Sequence, residues 1–486
     1  MGVEQRGNEI LGTLLAELGW SPSRLAEVVN GLLGPGYVAR STVSEWLHQD
    51  RVPRHPLPTV VAHLISDGLD REVSVEQLWS GRARPAEFWV PADAGLQLPW
   101  TAEGTVDILD DWLRHTGGSI GMDRRIFLAV SGASLTAPAW GYVDHLGARG
   151  GSFAALADAR RSITVTSAMV DAVAAATAGI RNLGDAEGGN EDNLRFVHHH
   201  LTYVAKLLRQ ARFTSGSVAD RLLTEWAQLA QLAAWMAHEA GKHGLSQRYF
   251  TGGLHAAHTA GDRSVGTYLL AFASQRQVNQ GRLDDGVDLP RAARDAVELA
   301  NAAYEVAPST PVAVRALVAS SFAKAQAAAG NAHGFQTAAN EARSLLDTPG
   351  ALDTRPPYLA WFGLAALESQ LAQGALTLAG VTSRESRALL DVADKILGRT
   401  ATDPASTPRN AVFHAAWLSR AHVAADDLDR AVPAAQTALR RLPTVRSRRC
   451  ALVLHRLETD LAALPPARRP ASVRALQDQL RATHAA

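Results

Sequence analysis

Cysteine is nearly absent. Cys450 is the only one in 486 residues, so no internal disulfide and no thiolate metal cluster can form, and a reducing compartment is the expectation. Lysine is scarce too: Lys206, Lys242, Lys324 and Lys395 are the only ones, so nearly all positive charge is arginine, a bias that points to a GC-rich genome. Neither sign of charge is in excess, since 48 basic residues meet 48 acidic ones. No charge-free apolar run is long enough to cross a membrane, and the start MGVEQRGNEI has neither the basic residues nor the apolar run of a secretory leader. The expectation is a cytoplasmic chain with no membrane partner.

Motifs of catalysis are missing as well. No GxSxG, HExxH or paired-carboxylate motif stands where its neighbours would activate it. The runs Gly151 to Phe153 and Gly188–Gly189 follow no strand and lack the lysine and hydroxyl of a phosphate loop. No enzyme, cofactor or metal is expected. What is present is the composition of a globular protein, 47% hydrophobic and 20% charged, in a chain too long for a single core.

The most informative stretch is RSTVSEWLHQDRVPR, from Arg40 to Arg54. Ser41 or Thr42 is placed to cap a helix, with Glu45 three residues after Thr42 to complete a capping box. Val43, Trp46 and Leu47 fall at i, i+3 and i+4 and share a buried face. Arg40, Ser41, Thr42, Ser44, Glu45 and His48 then point outward, with Arg51 and Arg54 on either side of a stop at Pro53. Short hydrogen-bonding side chains near a helix N-terminus suit base-edge reading in a major groove. Before it, GWSPSRLAEVVN from Gly19 to Asn30 offers Ser21 as cap, Pro22 at the first helical position and an apolar set at Leu25, Val28 and Val29.

Two short helices across a glycine-containing turn resemble the helix-turn-helix of Xre-like regulators. The likeness lies in "GWSPSRLAEVVN" and "STVSEWL…P", while Gly31 to Val38, GLLGPGYV, is longer than the usual connection. A first helix over Asn8 to Leu18, with Ile10, Leu11, Leu14, Leu15 and Leu18 on one face, and further helices over Thr59 to Ile65 and Val75 to Leu78 would enclose a core holding Trp20, Trp46 and Trp79. The basic residues up to Pro85 are eight arginines against ten carboxylates, so this is not a basic domain, and two copies on a two-fold symmetric site would be needed.

Periodicity fades from Gly81 to Thr101, where Pro85, Pro91 and Pro99 interrupt a segment rich in Trp and Phe that reads as a linker packed across a neighbour. Asp123 to Trp140 has the paired arginines and apolar run of an export signal, but so far into the chain it reads as a buried helix. Alanine- and leucine-rich helix pairs follow, their first helices expected to end near Gly281, Gly330, Gly374 and Asp426. They resemble tetratricopeptide repeats, most clearly from Ala411 to Leu442, at a longer spacing. Helix pairs that cannot bury themselves alone stack into a solenoid with a concave face.

The expected fold is therefore all-α: a helix-turn-helix domain over 1–80, a linker over 81–104 and a tetratricopeptide-like α-solenoid over 105–486. The combination resembles actinobacterial regulators of this architecture and, more distantly, the peptide-sensing RRNPP regulators. That resemblance implies binding of double-stranded DNA by the Arg40 to His48 helix, a homodimer formed through the repeats, and a peptide, small-molecule or protein effector in the concave face. His199 and Tyr203 are the candidate effector residues. Three adjacent histidines, His198 to His200, point about 100° apart on a helix and cannot share one ion, and His255 with His258 lacks an evident third ligand. Arg440, Arg441, Arg446, Arg448, Arg449 and Arg456 form the densest positive cluster, placed to meet helix carbonyl ends or, alternatively, DNA or an acidic partner. The alternative function is a repeat scaffold for a protein or peptide without DNA binding.

Overall fold

The computed structural model describes residues 7–33, 37–49, 51–54, 57–69, 71, 73–82, 89–91, 97–116, 126–147, 153–156, 163–283, 288–381, 386–403 and 406–485. Helices dominate throughout these residues, and none is long and apolar enough to cross a membrane.

The N-terminal unit holds α1 (Glu9–Glu17), α2 (Pro22–Leu33), α3 (Arg40–His48), α4 (Leu57–Leu69) and α5 (Val75–Leu78). Side chains set their starts. Asn8 accepts from the amide of Leu11, Ser21 from that of Arg24 and Ser74 from that of Gln77. Leu11, Leu14, Leu15, Leu25, Val43 and Val61 surround Trp46 and Trp79, whose rings meet edge to face at 6.2 Å. Trp20 packs at the edge of this core, whereas Ile10, expected inside, is exposed.

The aromatic linker is tied down by pairing. β1 (Trp89–Pro91) runs parallel to β2 (Ile126–Leu128), with Trp89 opposite Ile126. This corrects the reading of 123–140 as one helix: 126–128 is a strand, and helix α7 (Ala133–Asp144) begins only after Gly132. Trp100 lies flat on His255, ring centroids 3.8 Å apart, and meets Tyr142 edge to face. Between these segments runs α6 (Ala102–Thr116). A second short parallel pair joins β3 (Ile163–Val165) to β4 (Ala211–Phe213), on either side of α8 (Ser167–Glu187) and α9 (Glu191–Gln210).

From residue 216 the chain is a row of packed helix pairs: α10 (Gly216–Glu239) with α11 (His243–Ala260), α12 (Arg263–Leu283) with α13 (Leu289–Val306), and α14 (Val312–Ala328) with α15 (Ala332–Leu346). The row continues as α16 (Leu364–Val381) with α17 (Ser386–Thr402), α18 (Pro408–Ala424) with α19 (Leu428–Arg441), and α20 (Arg448–Ala463) with α21 (Ala471–Ala485). Each first helix packs on the first helix of the next pair, which makes an α-solenoid. At two of the expected joints the chain does turn: Gly330 and Asp426 have φ of +74° and +60°, and the residues after them, Asn331 and Asp427, cap the next helix. Gly281 and Gly374 instead lie inside α12 and α16. Gly374 is there for packing, since a Cβ on it would sit 2.8 Å from the ring of Phe335.

The row curls back on itself. α18 reaches α8, and α20 reaches α12, so the first helices enclose a central space.

Candidate functional site

α3 is held by its inner face and its C-terminal end. Val43 and Trp46 are buried, and Leu47 packs against the same core. The amide of Asn8 donates to the carbonyl of Leu47 at 2.8 Å, while the Asn8 side chain donates to the carbonyl of Leu78 at 3.0 Å. One residue thus pins the start of α1, the end of α3 and the end of α5. On the other side, the Asn30 side chain accepts from the amide of Val38 at 2.7 Å and donates to its carbonyl at 2.9 Å, so the chain entering α3 is fixed to α2. The middle of that connection, 34–36, lies outside the described residues.

Arg40, Ser41 and His48 are exposed on α3, and Thr42, Ser44 and Glu45 are half-buried. The capping expectation is corrected. The helix starts two or three residues earlier, behind Ala39, which makes no side-chain cap, so Ser41 and Thr42 sit inside the first turn. Their hydroxyls are therefore not spent on a cap. Ser44 Oγ donates to the carbonyl of Arg40 at 3.2 Å and keeps its acceptor capacity. Glu45 pairs with Arg51 at 2.7 Å instead of closing a capping box, and Arg54 is exposed just beyond. Elsewhere on this unit Arg24 faces Glu27 and Arg71 faces Glu17, so three arginines are already offset by carboxylates. Such exposed pairs contribute about 0–1 kcal/mol each.

The second feature is the space inside the curl, a cavity of about 1120 Å³. Its wall carries six basic side chains, Arg181, Arg276, Lys324, Arg399, Arg409 and Arg449, against the three carboxylates Asp185, Glu368 and Asp403. Glu368 is already held by Arg343 through two hydrogen bonds of 2.7 and 2.8 Å. Lys324 Nζ donates to Gln373 Oε1 at 3.1 Å, and Gln373 Nε2 lies 2.9 Å from His414 Nε2. Burial, reinforced by Arg449, Lys324 and Arg409, pushes the His414 pKa down to about 3, so the ring is neutral. With Gln373 donating to Nε2, the neutral tautomer carries its proton on Nδ1, which has no partner among the described residues.

The curl is closed by Glu239, the last residue of α10, whose side chain is 1% exposed. It lies 3.2 Å from Arg449 and 3.7 Å from Arg409, and it accepts from Ser447 at 2.8 Å. The guanidinium of Arg449 stacks over Phe413 and that of Arg409 over Trp235. Gly189 lets the loop before α9 pass this point, since a Cβ there would lie 2.6 Å from the Glu239 Cβ. The C-terminal arginine cluster is thereby largely explained: Arg448 donates to the carbonyl of Ala240, and Arg441 to those of Thr402 and Asp403, each at a neighbouring helix end.

His199 and Tyr203 are exposed on α9, away from the large cavity. They line a smaller one of about 380 Å³, walled mainly by apolar residues of α8 and α9 such as Met169, Val173 and Leu207. His198 is buried with Nδ1 2.8 Å from the Tyr249 hydroxyl, and His200 faces the carbonyl of Phe196. His255 and His258 surround Trp100, with His258 Nε2 at 2.9 Å from the carbonyl of His145. Lys324, Gln373, His414 and Arg409 were not singled out from the sequence, although polar residues recur on the first helix of pair after pair.

Residues 11–78 match the family described as the SP15 N-terminal domain, a span that begins within α1 and ends on the last residue of α5. No curated protein and no solved structure matches the chain.

Proposed function

We propose that the protein is a cytoplasmic DNA-binding transcriptional regulator, with an Xre-like head that reads DNA through α3 and a tetratricopeptide-like repeat domain that dimerises and senses an effector. The observation that carries this reading is the presentation of α3. Its apolar face is locked into the head by Val43, Trp46 and Leu47, and its other face offers Arg40, Ser41, Ser44 and His48 with no capping duty. A helix whose position is fixed from both ends and whose outward side chains are short donors and acceptors is what major-groove reading needs. Arg51 and Arg54, just after it, would face the phosphates.

The test is a gel shift against genomic fragments at low salt. Replacing Ser44 and His48 together with alanine should weaken specific binding by about 1–3 kcal/mol for each base edge no longer read, with helicity retained. Unchanged affinity in a folded protein would remove α3 from the reading role. The near-neutral charge of the head favours the second reading, a repeat scaffold that binds a protein or peptide. A wild-type chain that shifts no fragment at low salt would select it.

A further inference from the structure

We propose that the central cavity binds a small organic anion, its acid group seated at Lys324, Gln373 and His414 and its flat apolar body laid against Trp235 and Trp361. The proposal rests on the sensor reading and names the ligand class for it. Size is the first argument, since about 1120 Å³ holds a small molecule together with ordered water. Charge is the second: the wall has an excess of three positive side chains, and the excess is the same when Arg343 on Glu368 and Glu239 on Arg409 and Arg449 are counted.

The third argument is local. His414 is 4% exposed, and its Nδ1 finds no acceptor among the described residues. A buried N–H of this kind is costly to leave unmade. Lys324, 3% exposed, is joined to the same histidine through Gln373 and brings a full positive charge to the spot. Lys324, Gln373 and His414 thus form one linked polar group on the cavity wall, whose lysine supplies the positive charge for a carboxylate or phosphate group. Arg409 and Arg449, which act on the same histidine, share the single carboxylate of Glu239 and so leave one net positive charge beside it. The opposite end of the ligand finds ring faces, because Trp361 is 40% exposed and lies on the cavity wall with Trp235 and Phe272.

The experiment titrates the full-length protein with 1-naphthoate, 1-naphthyl phosphate, neutral 1-naphthol and cationic 1-naphthylmethylamine, following tryptophan fluorescence and heat. The two anions should bind about ten- to a hundredfold more tightly than the naphthol, and the amine should not bind. Their order separates a carboxylate from a phosphate ligand. Lys324→Gln should cost the anions about tenfold or more and leave the naphthol unaffected. Trp361→Phe, which keeps a ring beside Phe362 but shortens the wall, should weaken every naphthyl probe at unchanged circular dichroism. Equal binding of naphthol and naphthoate, or a Lys324→Gln protein of wild-type circular dichroism that keeps its anion affinity, would overturn the proposal. Because no DNA is present, loss of anion binding with an intact gel shift condemns only the ligand assignment, and the converse condemns only the DNA reading.

Discussion

Replacing Glu239 with glutamine tests whether the curl is held shut by charge. The carboxylate lies between two guanidiniums at 3.2 and 3.7 Å and accepts from Ser447, which also caps α20 through the amide of Cys450. Glutamine keeps the shape and can still accept from Ser447, but it leaves two buried positive charges uncompensated. Breaking a buried pair this way costs about 3–5 kcal/mol. Because Glu239 joins the first pair to the last two, that cost should fall on local opening of α20 and not on the far wall of the solenoid. Hydrogen exchange at pH 7 should therefore speed up in α20 by roughly a hundred- to several-thousandfold, with little change in α14. Arg468→Ala, which cuts an exposed pair with Asp426, should change exchange by less than about 1 kcal/mol and serves as the control.

The same site sets an acid limit. Burial alone would raise the Glu239 pKa, but Arg409, Arg449 and the hydrogen bonds outweigh it and hold it below the ordinary 4.5. A folded pKa below the unfolded one means that the stabilisation is fully present above about pH 4.5 and is lost as pH falls through the folded value. Wild-type α20 should open in that acid window, and the glutamine variant should show a weaker dependence. Exchange in α20 of Glu239→Gln within threefold of wild type at pH 7 would refute the reasoning.

Two further outcomes concern the head. Trp46→Ala removes a buried indole that meets Trp79 edge to face, and it should cost about 3–5 kcal/mol and unfold the head while the repeats stay helical, as read by thermal melting and circular dichroism. Asn30→Ala leaves the amide and carbonyl of Val38 without their side-chain partner and should cost about 1–3 kcal/mol, with DNA affinity falling at preserved total helicity; wild-type affinity would show that the entry to α3 needs no such tether.

The helices were legible because apolar spacing and capping residues are local signals, and the turn joints at Gly330 and Asp426 carried theirs in the left-handed residue and the Asx after it. Gly374 carried the same letter as Gly330 with another meaning, since close approach of Phe335 is a property of two helices and not of one. The strand at Ile126–Leu128 is too short to show an alternation, and its partner is distant in sequence. The cavity was hidden for a stronger reason. Lys324 in SSFAKAQAAAG and Gln373 in ESQLAQG look like helix surface, and only the return of α18 and α20 to α8, α10 and α12 encloses them.

If the heads read DNA as proposed, whether they work in pairs follows from how little charge each has to offer. Eight arginines face ten carboxylates up to residue 85, and pairs with Glu27, Glu45 and Glu17 offset three of the eight. A single head therefore gains little from phosphates, and a second head tethered at an effective concentration of roughly millimolar order would raise affinity without any new type of interaction. The tether needs an interface, and the head has few apolar residues to spare: among its described residues Ile10 and Tyr37 are the large ones exposed. The repeat domain exposes Phe196, Leu289, Leu364, Val381 and Val392, on helices long enough for an interface of about 1,600 Å². Light scattering on the full chain and on residues 101–486 should then give a dimer for both. A dimeric full chain with a monomeric 101–486 fragment at micromolar concentration would put the interface in the head, and the repeats could no longer set the spacing between two reading helices.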